Sequence, residues 1–349
     1  MITVNARSTA GAGEPFKATK IDRRDVGPND LLIDIAYSGI CHTDVSRARS
    51  EFGTTMYPLV PGHEIAGVVS SVGPDATKFQ VGDRVGVGCL VDSCRTCKYC
   101  TSGLEPYCVN DHIRTYNSIG RDGRPTMGGY SQQIVVDEAY VVRIPDALSL
   151  ATAAPLLCAG ITLYSPLRHW QAGPGKRVAI VGFGGLGHVG VSISHALGAH
   201  TTVLDLIEDK RADAIRRGAD DYRLVTDPTT FTDLAGSLDL IVSTVPANID
   251  YDAFLRMLTL NGTLVNLGVP KKPISFDVFS LLYNRRSIAG TLVGGIAETQ
   301  EMLDFCAAQD IGSEVEIIGA DDIDAAYDRV AVGDVRYRFV IDISTMADH

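Results

Sequence analysis

A short apolar run, RVAIVG (177–182), passes directly into the turn GFGGLG (182–187), and the segment from Gly184 to Leu197 has few strand signals before Gly198 stops it. Strand, glycine turn and helix in that order open a βαβ unit. The pattern repeats downstream. TTVLD (201–205) reads as the next strand, IEDKRADAIRRG (207–218) as a charged helix ended by Gly218, and LDLIVSTV (238–245), GTLVNLG (262–268) and SIAGTLVG (287–294) as further strands. Strands alternating with helices predict an α/β fold with a doubly wound parallel sheet. In this context G-x-G-x-x-G becomes a dinucleotide site. Gly182 permits the tight turn, Gly184 lets backbone approach a pyrophosphate, and Gly187 allows close helix packing, with Gly185 and Leu186 completing the turn. Free N–H groups at the helix start would face the phosphates. Asp205 ends the next strand, 23 residues after Gly182, where an acid takes the ribose hydroxyls and repels a 2′-phosphate. NAD is therefore expected over NADP, with Lys210 and Arg211 as the nearby cations that oppose this reading.

The chain before about residue 150 has a different texture. LLIDIAYSG (31–39), GHEIAGVVSSVG (62–73), DRVGVGC (83–89) and YSQQIVVD (130–137) are short β-type segments between Gly, Pro and Asp turns. This part is expected to be mostly β. Residues 1–152 read as one domain and 153–292 as the dinucleotide-binding domain. Residues 293–349, with a helix-like AETQEMLDFCAAQ and a strand-like YRFVIDI, are too few for a domain and are expected to complete the first. Within the first part, Cys94, Cys97, Cys100 and Cys108 form a C-x2-C-x2-C-x7-C run. Four thiolates close a tetrahedral zinc site. The bacterial iron–sulfur run continues with x3-C-P, whereas here the gap is seven and Val109 follows. The surrounding DSCRTCKYCTSGLEPYC is polar and turn-rich, so it offers no apolar core to bury free thiols. A structural zinc lobe is expected, with Cys89 and Cys306 left over as small buried residues.

A net charge of −11, spread along the chain, argues against a nucleic-acid surface. Cysteines at metal spacing and the absence of an apolar leader in MITVNARSTAGAG point to a cytoplasmic protein. Val178 to Leu204 runs 27 residues without a charged side chain, long enough to raise the question of a membrane span. Its glycines and three histidines (His188, His195, His200) favour a buried strand, turn and helix, so no membrane partner is expected.

Cys41, His63 and Cys158 lie in the contexts GICHTD (39–44), PGHEIAG (61–67) and PLLCAGIT (155–162). One at a time, each reads most simply as a core residue. Together they are three metal-ligand types that leave a fourth position open for water or substrate. With TYNSIGRDGRPTMGGYS (115–131), APLLCAGITLYSPL (154–167), GFGGLG and DVRYRFVIDI (334–343), these motifs span nearly the whole chain. They resemble the zinc-dependent medium-chain alcohol dehydrogenases, in the cinnamyl alcohol dehydrogenase-like branch that includes bacterial broad-range aldehyde reductases.

The resemblance implies a Rossmann domain beside a mostly-β, GroES-like catalytic domain with a zinc-binding lobe. It implies catalytic zinc on Cys41, His63 and Cys158, and hydride transfer between a primary alcohol, aromatic or medium-length aliphatic, and a nicotinamide. Asp44 would orient His63, Glu64 would lie near the metal, and Thr43 would receive the substrate proton. His42 and Arg338 would contact the pyrophosphate and Thr162 the cofactor. Phe52, Cys89, Arg114, Leu292 and Val293 would line the substrate pocket. Three positions depart from the pattern: Ser46 stands where many relatives carry a relay histidine, Asp205 where NADP-preferring plant relatives often have serine, and Arg114 near a plant pocket aromatic. Such enzymes are often homodimers joined through an edge strand of the cofactor domain, for which SIAGTLVG is the candidate. The runner-up is NADPH-dependent aldehyde reduction. A non-catalytic NAD(H)-binding redox sensor is the reading from another class; an incomplete catalytic zinc set would point that way, and the set is complete.

Overall fold

Six parallel strands form the sheet of the unit Thr162–Val293, in the order 221–224, 200–205, 177–181, 238–243, 258–266 and 287–290 in a computed structural model that describes residues 1–346. Strand order reverses at Arg177–Val181, which sits between His200–Asp205 and Leu238–Ser243. Ligands of such sheets bind outside the carboxyl ends at this switch point, and GFGGLG occupies that position. The central strands are apolar throughout because helices cover both faces of a parallel sheet. Val178, Ala179, Ile180, Val242, Leu264 and Val265 are fully buried, each larger side chain contributing roughly 1.5–3 kcal/mol of hydrophobic stabilisation.

The expected elements appear with shifted ends. The helix after the glycine turn spans Gly187–Ala196, and Gly198 beyond it takes φ +89°. The charged helix is a 3₁₀ turn, Glu208–Lys210, leading into Arg211–Arg216. Two elements lay below the sequence signal. The strand Asp221–Leu224 is too polar to read as a strand, and the helix Tyr251–Met257 is capped by Asp250, whose Oδ1 accepts from Ala253 N at 3.0 Å. That helix runs straight into Leu258–Asn266, so the strand begins before the expected Gly262.

The other unit, Met1–Ile161 with Gly294–His349, is built on a mostly antiparallel seven-stranded sheet. Its central strand Asp30–Ile40 pairs along one edge with Ile65–Val72. Its other edge is shared, Gln133–Asp137 taking residues 30–34 and Arg338–Asp342 taking 37–40. The return segment joins the first unit through the strand Arg338–Asp342. The units divide at Ile161/Thr162 and Val293/Gly294, where boundaries at 152/153 and 292/293 were expected. The reason is that the turns Leu150–Ala153 and Ala154–Leu157 pack onto the antiparallel sheet, carrying Cys158 with them. A hairpin, Ile2–Ser8 with Lys17–Arg23, was not anticipated. No single helix among the described residues is long and apolar enough to cross a membrane.

Candidate metal centres and cofactor turn

Strand register assembles the first centre. Cys41 follows the strand Asp30–Ile40 directly, and Gly39 N donates to Glu64 O at 2.9 Å, bringing His63 and Glu64 alongside. On the opposite edge Phe339 pairs with Ile40, so Arg338 falls beside Cys41. Cys158 ends the turn Ala154–Leu157. The result is one cluster of Cys41, His63, Glu64 and Cys158, all buried, with ligand atoms within 4.8 Å of one another. His63 Nε2 lies 3.2 Å from Cys158 Sγ, and the sulfurs of Cys41 and Cys158 are 4.0 Å apart.

Asp44 organises this cluster from the first turn of the helix His42–Ala48. Its Oδ2 accepts from Cys41 N at 2.9 Å, and its Oδ1 from Gly62 N at 3.2 Å and from His63 Nδ1 at 3.0 Å. A proton held on Nδ1 leaves Nε2 as a lone-pair donor aimed into the cluster, the tautomer a metal requires. Burial opposes charge on His63, but Asp44 together with the Cys89 and Cys41 thiols outweighs it and raises the imidazole pKa. The hydrogen bond with Cys158 pulls the Cys41 thiol well down, while Cys158 is pushed up.

Glu64 is fully buried. One carboxylate oxygen pairs with Arg338, itself only 4 % exposed, and the other, Oε2, is buried with no hydrogen-bond partner. Burial pushes Glu64 up to about 7, even though Arg338 pulls it down. A Cβ on Gly39 would lie 2.0 Å from Oε2, so only glycine fits against this acid. Two thiols, an imidazole nitrogen and an orphaned carboxylate oxygen, converging without water access, fit a divalent zinc-type ion.

The second centre gathers Cys94, Cys97, Cys100 and Cys108, again within 4.8 Å of one another. Backbone N–H groups point at the sulfurs: Cys97 N at 3.3 Å from Cys94 Sγ, and Cys94 N at 3.4 Å from Cys108 Sγ. Hydrogen bonds from Thr96 and Cys97 lower the Cys94 thiol to about 5, whereas burial raises Cys100 to about 11. Four thiols, with no further His, Cys, Asp or Glu ligand grouped with them among the described residues, match a closed tetrahedral site.

In the other unit, Gly182 has φ +88°, and a Cβ on Gly187 would lie 1.9 Å from Gly182 O. A Cβ on Gly184 would meet nothing within 4 Å, the open side of the turn where a pyrophosphate would approach. Asp205 is buried and held by backbone: Oδ2 accepts from Phe183 N at 2.5 Å, and Oδ1 from Leu206 N and Ile207 N at 2.7 and 3.0 Å. Lys210 Nζ lies 3.9 Å from Asp205 Oδ2. Arg211 forks onto Glu208 at 2.5 and 3.0 Å and donates to Tyr222 O.

The remaining expected residues are distributed between the units. His42 and Thr43 are exposed on the first turn of their helix, Ser46 is buried with its hydroxyl donating to Glu51 Oε2 at 3.1 Å, and Phe52 and Arg114 are half-buried. Cys89, half-buried, interacts with Cys158. Thr162, Leu292 and Val293 belong to the second unit, where Leu292 is 53 % exposed. Arg338 is engaged by Glu64. Two neighbours escaped the sequence reading. Tyr116 is buried with its ring 5.8 Å from that of His63, and Arg47 lies near Arg114. Tyr116 was signalled only by its place in TYNSIG, and nothing in the sequence singled out Arg47.

Comparison with known proteins agrees with this geometry. Residues 27–146 match the Alcohol dehydrogenase GroES-like domain family and residues 185–308 the Zinc-binding dehydrogenase family. The chain is 57% identical over 339 residues to the probable formaldehyde dehydrogenase AdhA of Bacillus subtilis, covering 97% of each. It is 57% identical over 347 residues to NADP-dependent alcohol dehydrogenase C 1 of Mycolicibacterium smegmatis, covering 99% of each. The crystal structure of a CAD from Helicobacter pylori complexed with NADP(H) superimposes with a TM-score of 0.92 at 41% identity, over 98% of this chain and 99% of that one. The protein is thus an enzyme of the zinc-binding alcohol dehydrogenase family, in the company of the cinnamyl alcohol dehydrogenases.

Proposed function

We propose that this protein interconverts primary alcohols and aldehydes, aromatic or medium-length aliphatic, using one catalytic and one structural zinc and NAD(H). The observation that carries the reading is the convergence of Cys41, His63 and Cys158 with the orphaned Glu64 Oε2 in one buried cluster, three ligands of the catalytic-zinc type with a fourth tetrahedral position left for Glu64 or a substrate oxygen. Bound there, zinc would supply Lewis acidity toward the alcohol or aldehyde oxygen, and the dinucleotide would supply the hydride acceptor or donor.

The chain's own residues do the rest. Asp44 fixes the His63 tautomer, and the Arg338–Glu64 pair keeps a carboxylate beside the ligands without leaving its charge uncompensated. Thr43, exposed at the start of its helix, offers a hydroxyl to take the substrate proton. The turn from Gly182 to Gly187 offers the backbone N–H groups for a pyrophosphate. The complete ligand set opposes a purely sensory role.

NAD rests on Asp205. Backbone N–H groups hold its carboxylate in place, Lys210 is drawn toward that carboxylate, and Arg211 is occupied by Glu208. The next two side chains, Leu206 and Ile207, are exposed and apolar, offering nothing to a 2′-phosphate. NADP is the second reading, favoured by the named dependence of the Mycolicibacterium relative. Steady-state turnover of an alcohol panel with each cofactor tests both. The expected outcome is a higher kcat/KM with NAD, on the order of a hundredfold, from one charged hydrogen bond kept and one like-charge clash avoided. Asp205→Ser should narrow or reverse the preference. A wild-type enzyme more efficient with NADP would establish the second reading.

A further inference from the structure

Arg114 and Arg47 form a cationic pair that the proposed chemistry does not use. Arg114 lies on the two-residue strand Ile113–Arg114, opposite Leu90, and the neighbouring Thr115 N donates to Cys89 O at 3.1 Å. Its Nη2 donates to Asn117 O at 3.3 Å, and its Nε is buried with no partner. Arg47 lies in the last turn of the helix His42–Ala48, donating to Phe52 O with its guanidinium carbon 5.9 Å from the centre of the Phe52 ring.

Hydrogen bonds stitch the two segments together. Asn117 Oδ1 accepts from Met56 N at 2.8 Å, Asn117 Nδ2 donates to Thr54 O at 3.4 Å, and Thr55 Oγ1 donates to Arg47 O at 2.9 Å. The pair borders the metal ligands, because Tyr116, two residues beyond Arg114, sits against His63.

Among the described residues, the hydrogen bonds made by these two guanidiniums go to neutral carbonyls. Two half-buried cations without a carboxylate between them are unusual in a chain of net charge −11. The strain registers electrostatically. Burial first and the Arg114 charge second lower the Arg47 pKa, and burial first, with Arg114 adding to it against the opposing Asp111, lowers His112. A buried guanidinium N–H without an acceptor carries a desolvation cost that a bound anion would remove. Planar forks match carboxylates in particular.

We propose that Arg114 and Arg47 together hold the carboxylate of a substrate whose aldehyde or alcohol lies at its other end, so that carboxylated aldehydes are the preferred substrate class. This rests on the dehydrogenase reading above. Sites built to bind a polar group reject analogues that lack it, since their own buried groups are then left unpaired.

The test is steady-state reduction of a matched set of three, benzaldehyde and its meta- and para-carboxy derivatives, by the zinc-loaded enzyme with reduced nicotinamide cofactor. Wild type should favour a carboxylated aldehyde by about tenfold or more in kcat/KM, mainly through KM, with the advantage shrinking as salt is added. Arg114→Met should collapse that ratio and Arg114→Lys should keep part of it. Because the ratio is taken within one preparation, lost folded protein cancels. Benzaldehyde turned over as well as the acids, or a ratio unmoved in both Arg114→Met and Arg47→Met, would overturn the inference and leave the dehydrogenase reading intact. Turnover of none of the three would bring down that reading, and this one with it.

Discussion

Ser46 stands where the resemblance to alcohol dehydrogenases leads one to expect a relay histidine. Its side chain is 1 % exposed, and its hydroxyl donates to Glu51 Oε2 at 3.1 Å. A hydroxyl can hand a proton along a hydrogen bond, but it has no pKa near neutrality with which to store one. Alcohol oxidation should therefore lack a histidine-like step arising from this position. Ser46→His should introduce such a step and raise the oxidation rate below about pH 7 where proton release limits turnover. Superimposable pH–rate profiles for the two proteins would show that water or Glu51 already bypasses Ser46. Individual residues were legible in proportion to how local their partners are. Cys94 to Cys108 and Gly182 to Gly187 announce themselves through spacing, because their partners are a few residues away. The ion pair between Glu64 and Arg338 spans 274 positions, and the joining of Arg47 to Arg114 depends on loop contacts that no periodicity encodes.

At the scale of elements, the two candidate metal centres differ in what holds them. Cys94, Cys97, Cys100 and Cys108 sit on two 3₁₀ turns and their connections, with Cys94 and Cys97 half-buried, so that few apolar contacts stand in for the metal. The ligands of the other centre are placed by the strands beside Cys41 and His63, by the turn that ends at Cys158 and by Asp44. Loss of a structural zinc is loss of folding free energy, whereas loss of a strand-held catalytic ion leaves the scaffold standing. Metal analysis should find two zinc ions per chain. Cys100→Ser should lower solubility and the thermal midpoint, and Cys158→Ser should abolish turnover while leaving a folded, dinucleotide-binding protein. One zinc per chain, or equal thermal losses in the two variants, would contradict this division. Element type was readable wherever a single period dominated, as in His200–Asp205 or Ile296–Ala308. It failed at Asp221–Leu224 and Ile2–Ser8, which are held by pairing with a neighbour rather than by an apolar pattern of their own.

The largest scale concerns how copies of the chain associate. The strand Ser287–Gly290 closes one end of the parallel sheet, paired on one side with Leu258–Asn266. An edge strand left open is a template for another strand. Just before it, Val278, Phe279, Leu282 and Tyr283 are each more than half exposed, and the Phe279 and Tyr283 rings lie 6.0 Å apart. Apolar side chains gathered beside an open edge mark a contact surface rather than ordinary scatter. A two-fold axis across this edge would set the two copies of Ser287–Gly290 antiparallel and lay the apolar segments along the same interface. We therefore expect a homodimer, with light scattering giving a mass near twice 37.3 kDa. Phe279→Glu combined with Leu282→Glu places like charges on both sides of the axis and should yield monomers, since none of these side chains belongs to either metal centre. A wild-type protein that stays at the mass of one chain across the micromolar range, or a double variant that remains dimeric, would assign this surface to something other than self-association.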